Sequence, residues 1–385
     1  MKFIFTIIFS FCLVGACKSP DKYLTVTNDR GIETTVIDFT KVQAGNDSLV
    51  HYNLLALSKL ADDIQMIRLE TENNCLVDGK ASYWLEDSCI IVMQRDQIMR
   101  FDREGHFLRT IATQGRAPGE FEGFQDARVK NGKIYLLDDF GRGKIFGIGE
   151  NEGFSDFQGS TKDRFYNSFL PLDSGRILMA PFKCESTKNL IYIQDADGKY
   201  LQGIPCPPNQ DVLSYNGRKL VSQVGQDYYY TPFLCDTVFQ FIGGNLLPKW
   251  IFKVGARQEV EVNGESPRFL FLTVRTIIEQ NTVNSVTNIT YSNVFYCYDK
   301  ADKKLASFEK VWDDRFTLVY RNIQDLKIQN GELFYWVYPA SMLVEAIPQV
   351  LKLEDVDKKI KENLKKWQEK ISLDDNPVLL VGRLK

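Results

Sequence analysis

Residues able to do chemistry are sparse in this 385-residue chain. It has two histidines, His51 and His106. A His-ligated zinc site needs more imidazoles than that. A Ser-His-Asp triad would have to use one of the two, and no G-x-S-x-G sequence supplies a nucleophile. His106 follows Gly105, so it is expected to be an exposed turn residue. Asp195-Ala-Asp197-Gly198 has the composition of a calcium-loop start, but such a loop needs a further carboxylate about twelve positions from its start. Cys206 stands there, and the stretch reads as a turn. No metal and no cofactor is implied.

One cysteine does carry a specific chemistry. Lys2 gives a positive n-region, and residues 3–14 form an apolar stretch too short to span a bilayer. Leu13-Val14-Gly15-Ala16-Cys17 follows. Small residues before a cysteine at that distance make a bacterial lipobox, in which the cysteine is lipidated and becomes the new N-terminus. The expected organisation is a signal peptide over 1–16, a tether over 17–22 and a single domain over 23–385. The expected address is the bacterial cell envelope, lipid-anchored at the outer membrane, with the face left open. The membrane is then a partner through that lipid.

Cys75, Cys89, Cys184, Cys206, Cys235 and Cys297 remain, and none forms C-x-x-C. Export permits disulfides, so Cys75–Cys89 or Cys184–Cys206 could pair across neighbouring strands. The favoured reading is free thiols packed as small core hydrophobes. Three further residues are candidates for ligand binding. Arg116 stands beside Pro118 and Gly119, Asp139 ends a strand, and Tyr229 is the middle of three successive tyrosines. Loop charges are most often simply solvated. Successive strand side chains alternate in direction, so the three tyrosines cannot all face one way, and inter-sheet packing is their ordinary role. Trp84, Trp250, Trp312 and Trp336 likewise read as core. The charge count is 47 basic against 50 acidic, with no block of five like charges, which disfavours nucleic acid as a partner.

The elements that must position these residues are short strands and tight turns. Met99 and Phe101 alternate with Arg100 and Asp102, the period-two pattern of a half-buried strand. Asp102-Arg103-Glu104-Gly105 breaks it, and Phe107, Leu108 and Ile111 resume it. Asp caps a turn with its own side chain and Gly supplies positive φ, so this is a hairpin. Residues 191–204 repeat it with Asp195 and Gly198, and residues 297–308 with Asp299 and with Asp302 in the glycine's place. Weaker copies surround Gly153 and Gly244. The turn glycines 105, 153, 198 and 244 are 48, 45 and 46 residues apart, and Asp302 follows 58 later. Asp62-Asp63 makes a sixth turn. A period of roughly 40–50 residues with four strands per unit marks a propeller blade. Six turns predict six blades.

QGRAPGEF at 114–121, followed by NGKIYLLDD at 131–139, resembles the NHL-type repeat, with Ala117 in place of the second loop glycine. With LADDIQMIRLETE (60–72), YYYTPFLCDTVFQF (228–241) and DNPVLLVGRLK (375–385), nearly the whole mature chain resembles the exported six-bladed β-propeller lipoproteins of Bacteroidota (NHL/TolB-like). The resemblance implies fold and export and says little of activity.

Propellers close by letting one blade take strands from both chain ends, which removes a free edge. Residues 64–69 are therefore expected as the outermost strand of the last blade, with inner strands from 332–338 and 378–384. One amphipathic helix is expected at about 354–371. Val356, Ile360, Leu364, Trp367 and Ile371 form one apolar stripe, and acidic residues open it while lysines close it. Its near-balanced charge points to docking on the propeller rather than to a membrane or partner surface. The expectation is thus an all-β, six-bladed β-propeller closed by its N- and C-terminal strands. Its expected function is to bind or scaffold a glycan, peptide or partner protein; the alternative is a metal-dependent, lactonase-like hydrolase with carboxylates around the channel.

Overall fold

The computed structural model describes residues 23–29, 31–42, 49–72, 74–117, 119–138, 145–149, 153–157, 166–181, 189–205, 221–232, 236–283, 286–318 and 320–385. Among them the strands form six sheets, each built on a four-stranded antiparallel meander. Sheet I is Ser82–Leu85, Cys89–Met93, Gln97–Asp102 and Phe107–Thr113. Sheet II is Phe124–Lys130, Lys133–Asp138, Ile145–Gly149 and Gly153–Phe157. Sheet III is Tyr166–Pro171, Ile177–Pro181, Asn189–Gln194 and Tyr200–Pro205. Sheet IV is Val221–Val224, Asp227–Tyr230, Thr237–Ile242 and Asn245–Lys253. Sheet V is Gln258–Glu265, Phe269–Val283, Val286–Asp299 and Lys304–Trp312, with Tyr320–Arg321 added. Sheet VI is Lys327–Gln329, Leu333–Tyr338, Val378–Leu384 and, from the other end of the chain, Ala61–Arg68.

Six apolar clusters lie between successive sheets. Ile91 and Met93 of sheet I meet Val129 and Leu136 of sheet II. Leu137 of sheet II meets Phe169 and Met179 of sheet III, and Ile193 of sheet III meets Tyr230 of sheet IV. Trp250 and Phe252 of sheet IV pack on Leu272 and Tyr298 of sheet V. Phe271 and Phe308 of sheet V pack on Trp336 and Leu380 of sheet VI. The sixth cluster returns from Leu379 and Val381 to Val92 and Phe101 of sheet I. This circular succession of face-to-face sheets is a β-propeller.

The hairpin turns repeat in atomic detail. Asp102 Oδ1 accepts from Glu104 N and His106 N at 3.0 and 2.8 Å, and Asp195 Oδ1 from Asp197 N and Lys199 N at 3.1 and 2.8 Å. Gly105 and Gly198 hold φ of 95° and 77°. The third copy corrects the sequence alignment by one residue. Asp299 Oδ1 accepts from Ala301 N and Asp302 N, but Lys303, not Asp302, takes the positive φ, at 53°. That turn is one residue longer, so the left-handed position moves along.

Sheet VI joins the two ends of the chain. Val378–Leu384 pairs with Leu333–Tyr338 on one side and with Ala61–Arg68 on the other, from Val378 opposite Arg68 to Leu384 opposite Ala61. The N-terminal residues before it do more than close the ring. Leu24–Asp29 and Ile32–Asp38 form a hairpin whose second strand pairs in parallel with the outer strand of sheet IV, Thr35 opposite Trp250. Val50–Ala56 then pairs in parallel with the outer strand of sheet V, Ala306 opposite Val50. Residues 50–60, which the sequence left between strand and helix, are both: a strand, then a helical turn at Leu57–Leu60. The N-terminal strands therefore cover the outer edges of sheets IV and V in succession and supply that of sheet VI.

Where one helix was expected over 354–371, there are two: Ala340–Lys352 and Lys358–Gln368. The second is shorter than its apolar stripe suggests, because Asp357 caps it by accepting from Lys359 N at 2.7 Å. The first has Ala340, Leu343, Ile347 and Val350 buried, despite Pro348 inside it. Proline in a helix argues against the assignment from sequence; burial of that four-residue face overrides it. Leu364 is buried in the same cluster, with Ile360 and Trp367 packed against it, so the second helix is docked. Among the described residues no helix is long and apolar enough to cross a membrane.

Candidate ligand cavity

In a four-stranded meander whose first strand is innermost, the turn from first to second strand and the turn from third to fourth lie at one end of the barrel axis. The connections from second to third strand, and from the fourth strand to the next sheet, lie at the other. Here the first set is short: Asn131-Gly132, Gly225-Gln226, Asn330-Gly331 and the capped hairpins above. The second set holds the 114–123 loop, the far end of the long Phe269–Val283/Val286–Asp299 ribbon and both helices. One face is therefore plain and the other elaborated.

Between them is a cavity of about 660 Å³, within the ~300–1,000 Å³ of ordinary small-ligand sites. The innermost strand of every sheet contributes to its wall. Tyr83 and Trp84 come from sheet I, Arg128 from II, Leu170 from III, Ser222 and Gln223 from IV, Glu261 and Asn263 from V, and Gln329 from VI. At the plain end the wall draws in. Gly225 N donates to Asn330 O at 3.0 Å, joining sheets IV and VI across the inner end of sheet V.

Apart from Lys327 at the rim, charges on the wall are held in pairs. Buried Arg128 contacts Asp126 at 3.1 Å and donates from Nε to Phe169 O at 3.1 Å, bracing sheet II on sheet III. Glu261 pairs with Arg275. Glu265 is buried, accepting from Lys300 Nζ at 2.6 Å and from Trp250 Nε1 at 3.2 Å. Burial pushes its carboxyl above the usual range, against the pull of Lys300. An amide staples sheet VI to sheet I. Gln329 accepts from Leu85 N at 2.8 Å and donates to Leu85 O at 2.7 Å. Tyr83 N donates to the Tyr335 hydroxyl at 3.3 Å, while the Tyr83 hydroxyl is buried without a partner among the described residues.

Of the residues singled out from sequence, Tyr229 is brought to this cavity. It is buried in the wall, and its burial raises the phenol's pKa. Tyr228 and Tyr230 point to the other side of the sheet, where Tyr228 accepts from Lys130 at 3.1 Å. Arg116 is on the elaborated face but 90% exposed, 4.0 Å from Glu122. Asp139 and Cys17 lie outside the described residues, as do Cys184, Cys206 and Cys235. Cys75, Cys89 and Cys297 are buried free thiols, so the alternative of a Cys75–Cys89 disulfide is not realised. His106 is an exposed turn residue held by Asp102 at 2.9 Å. His51 meets Ser307 Oγ at 2.9 Å on the outer edge of sheet V, with no carboxylate partner among the described residues, so it lacks the third member of a triad. Among those residues no three of His, Cys, Asp and Glu gather as a metal-ligating set.

Sequence reasoning missed Arg128, Ser222, Glu261, Arg275 and Gln329. A signal existed for some of them: Glu259, Glu261, Asn263 and Glu265 alternate with Val260 and Val262, a strand with one polar face pointed at something other than core. Arg128 sits in the mixed strand FQDARVK, shortly after the 114–121 loop, with nothing local to mark it.

The chain belongs to the family described as Domain of unknown function (DUF4934), whose model matches residues 34–383. A crystal structure of a Bacteroides fragilis NCTC 9343 protein, described as exported, is similar at 14% identity with a TM-score of 0.60, covering 88% of this chain and 99% of that one. At that identity the likeness shows the propeller fold alone. A virginiamycin B lyase from Staphylococcus aureus is similar at 9% identity and a TM-score of 0.43, over 83% of this chain and 99% of that one; at that overlap nothing is carried over. No curated protein matches the chain.

Proposed function

We propose that this protein is a cell-envelope binding module: a six-bladed propeller, lipid-anchored through Cys17 at the outer membrane, that takes a glycan, peptide or partner protein at its elaborated face. Each of the six sheets is read as one blade. The observation that carries the reading is the cavity to which every sheet contributes its innermost strand, at the axis of a molecule whose long connections gather at one end. Loops placed by a rigid scaffold are where proteins keep their binding groups, and a polar-and-aromatic concavity is the ordinary form of a binding site. The two wall carboxylates, Glu261 and Glu265, are each held by a cation rather than poised for proton transfer, which favours binding over catalysis.

The test is a thermal-shift screen of the full chain against oligosaccharides and peptides, run in calcium and in EDTA. A ligand that binds only the folded state raises the melting temperature by mass action. The expected result is such a rise with the ligand recovered intact, and the same melting with calcium or EDTA. A cleaved ligand, or strong stabilisation by calcium, would turn the reading toward the metal-dependent hydrolase.

A further inference from the structure

The cavity's own electrostatics narrow the ligand class, given that the cavity is the binding site proposed above. We infer that the ligand is an uncharged, polyhydroxylated molecule: a neutral glycan segment. Apart from Lys327 at the rim, the wall charges are neutralised in place, Arg128 by Asp126, Glu261 by Arg275 and Glu265 by Lys300. A ligand charged where it meets these pairs would have to take one member and leave the other half-buried and uncompensated, which is strongly unfavourable. Lys327, exposed at the rim, is turned onto the Gln324 carbonyl at 3.3 Å.

The groups left uncommitted are of another kind. Among the described residues the Ser222 hydroxyl and the Asn330 side-chain amide make no hydrogen bond. They offer donors and acceptors without charge, the complement of a sugar hydroxyl that both gives and accepts. Trp84 and Tyr229 also line the wall, each largely buried in a neighbouring apolar cluster, so the apolar surface they leave to a ligand is small. Paired charges and hydroxyl and amide groups left uncommitted among the described residues thus line one cavity.

The experiment is calorimetric titration of the detergent-solubilised full chain. The probes are mannohexaose, xylohexaose, cellohexaose and maltohexaose, with hexagalacturonate and a mixed charged-peptide pool alongside. At least one neutral hexaose should bind about tenfold or more tightly than hexagalacturonate. Ser222→Tyr, which fills the cavity, should weaken that binding by about tenfold or more while melting as wild type. Glu261→Gln, which frees Arg275, should raise affinity for hexagalacturonate. Should hexagalacturonate or peptide bind in a Ser222→Tyr-sensitive way while every neutral hexaose stays silent, the neutral-glycan inference falls and the binding-module reading stands. If no probe binds, or binding ignores Ser222→Tyr, both fall.

Discussion

Asp313 has no exposed surface. It accepts from Arg315 N at 3.2 Å, Phe316 N at 3.1 Å and the Tyr338 hydroxyl at 3.3 Å. Burial nonetheless dominates and pushes its pKa up to about 6. An unfolded Asp ionises near ~3.9, so the folded state is favoured relative to the unfolded one below that pH. It loses this advantage as pH rises toward the folded value. The loss amounts to about 2–3 kcal/mol between pH ~4 and ~7. Asp313→Asn keeps the acceptor and removes the titration. Denaturant unfolding of both proteins at the two pH values should show wild type losing about 2–3 kcal/mol more than the variant; parallel losses would refute the assignment. A second residue-scale prediction concerns Gly105. A Cβ there would lie 2.1 Å from Arg68 O of sheet VI, whereas one at Gly31, which has φ of 82°, meets open space. Gly31→Ala should cost about 1 kcal/mol, the left-handed backbone penalty alone. Gly105→Ala should cost about 3 kcal/mol or more, because backbone must move as well. Equal costs in urea titrations would mean that the turn does not pack on sheet VI.

At the scale of elements, the Val378–Leu384 strand is decisive because it lies inside sheet VI rather than at its edge. It is buried at every position but Arg383, and among the described residues it is the strand that joins Ala61–Arg68 to Leu333–Tyr338 in the sheet. Each large apolar side chain there contributes about 1.5–3 kcal/mol, against a whole-domain stability of about 5–15 kcal/mol. A chain ending at Asn376 should therefore show no cooperative melting by near-ultraviolet circular dichroism. Unchanged melting would overturn the closure. This element was legible in sequence, since alternation in LFYWVY and a continuous apolar run in VLLVGRL are local patterns. The Asp102 and Asp195 hairpins were legible for the same reason. The Ala340–Lys352 helix was not, because Pro348 hides a stripe that only tertiary burial makes worthwhile. The parallel strands Ile32–Asp38 and Val50–Ala56 were readable as strands, but their partners lie some 200 residues or more away in sequence, and no local pattern names them. The cavity wall was least legible of all. Arg128, Ser222 and Gln329 look like ordinary strand residues until six inner strands are placed side by side.

At the scale of the whole molecule, the face away from the long connections is made of tight turns, and the net charge is small, −3, so long-range electrostatics do little to orient it. Under the proposed lipid anchor, placement in the cell rests on the N-terminus. With lipid on Cys17 the wild-type chain should fractionate with membranes, and Cys17→Ala should be released or misprocessed; a soluble, unlipidated wild-type N-terminus in mass spectrometry would rule the anchor out. Folding is also global. The N-terminal strands are made first, yet they pair with sheets completed last, so native contacts here are of high sequence separation, which slows folding.

The same N-terminal path fixes how the molecule carries mechanical load. Tension applied at the N-terminus, whatever holds it, reaches the Leu24–Asp29/Ile32–Asp38 hairpin on sheet IV first, then Val50–Ala56 on sheet V, and only afterwards Ala61–Arg68, the strand that locks the ring. The first two can peel while all six four-stranded meanders remain whole. They act as sacrificial extensions that take up slack before the lock is strained, so a pull should release chain in two small steps ahead of one large rupture.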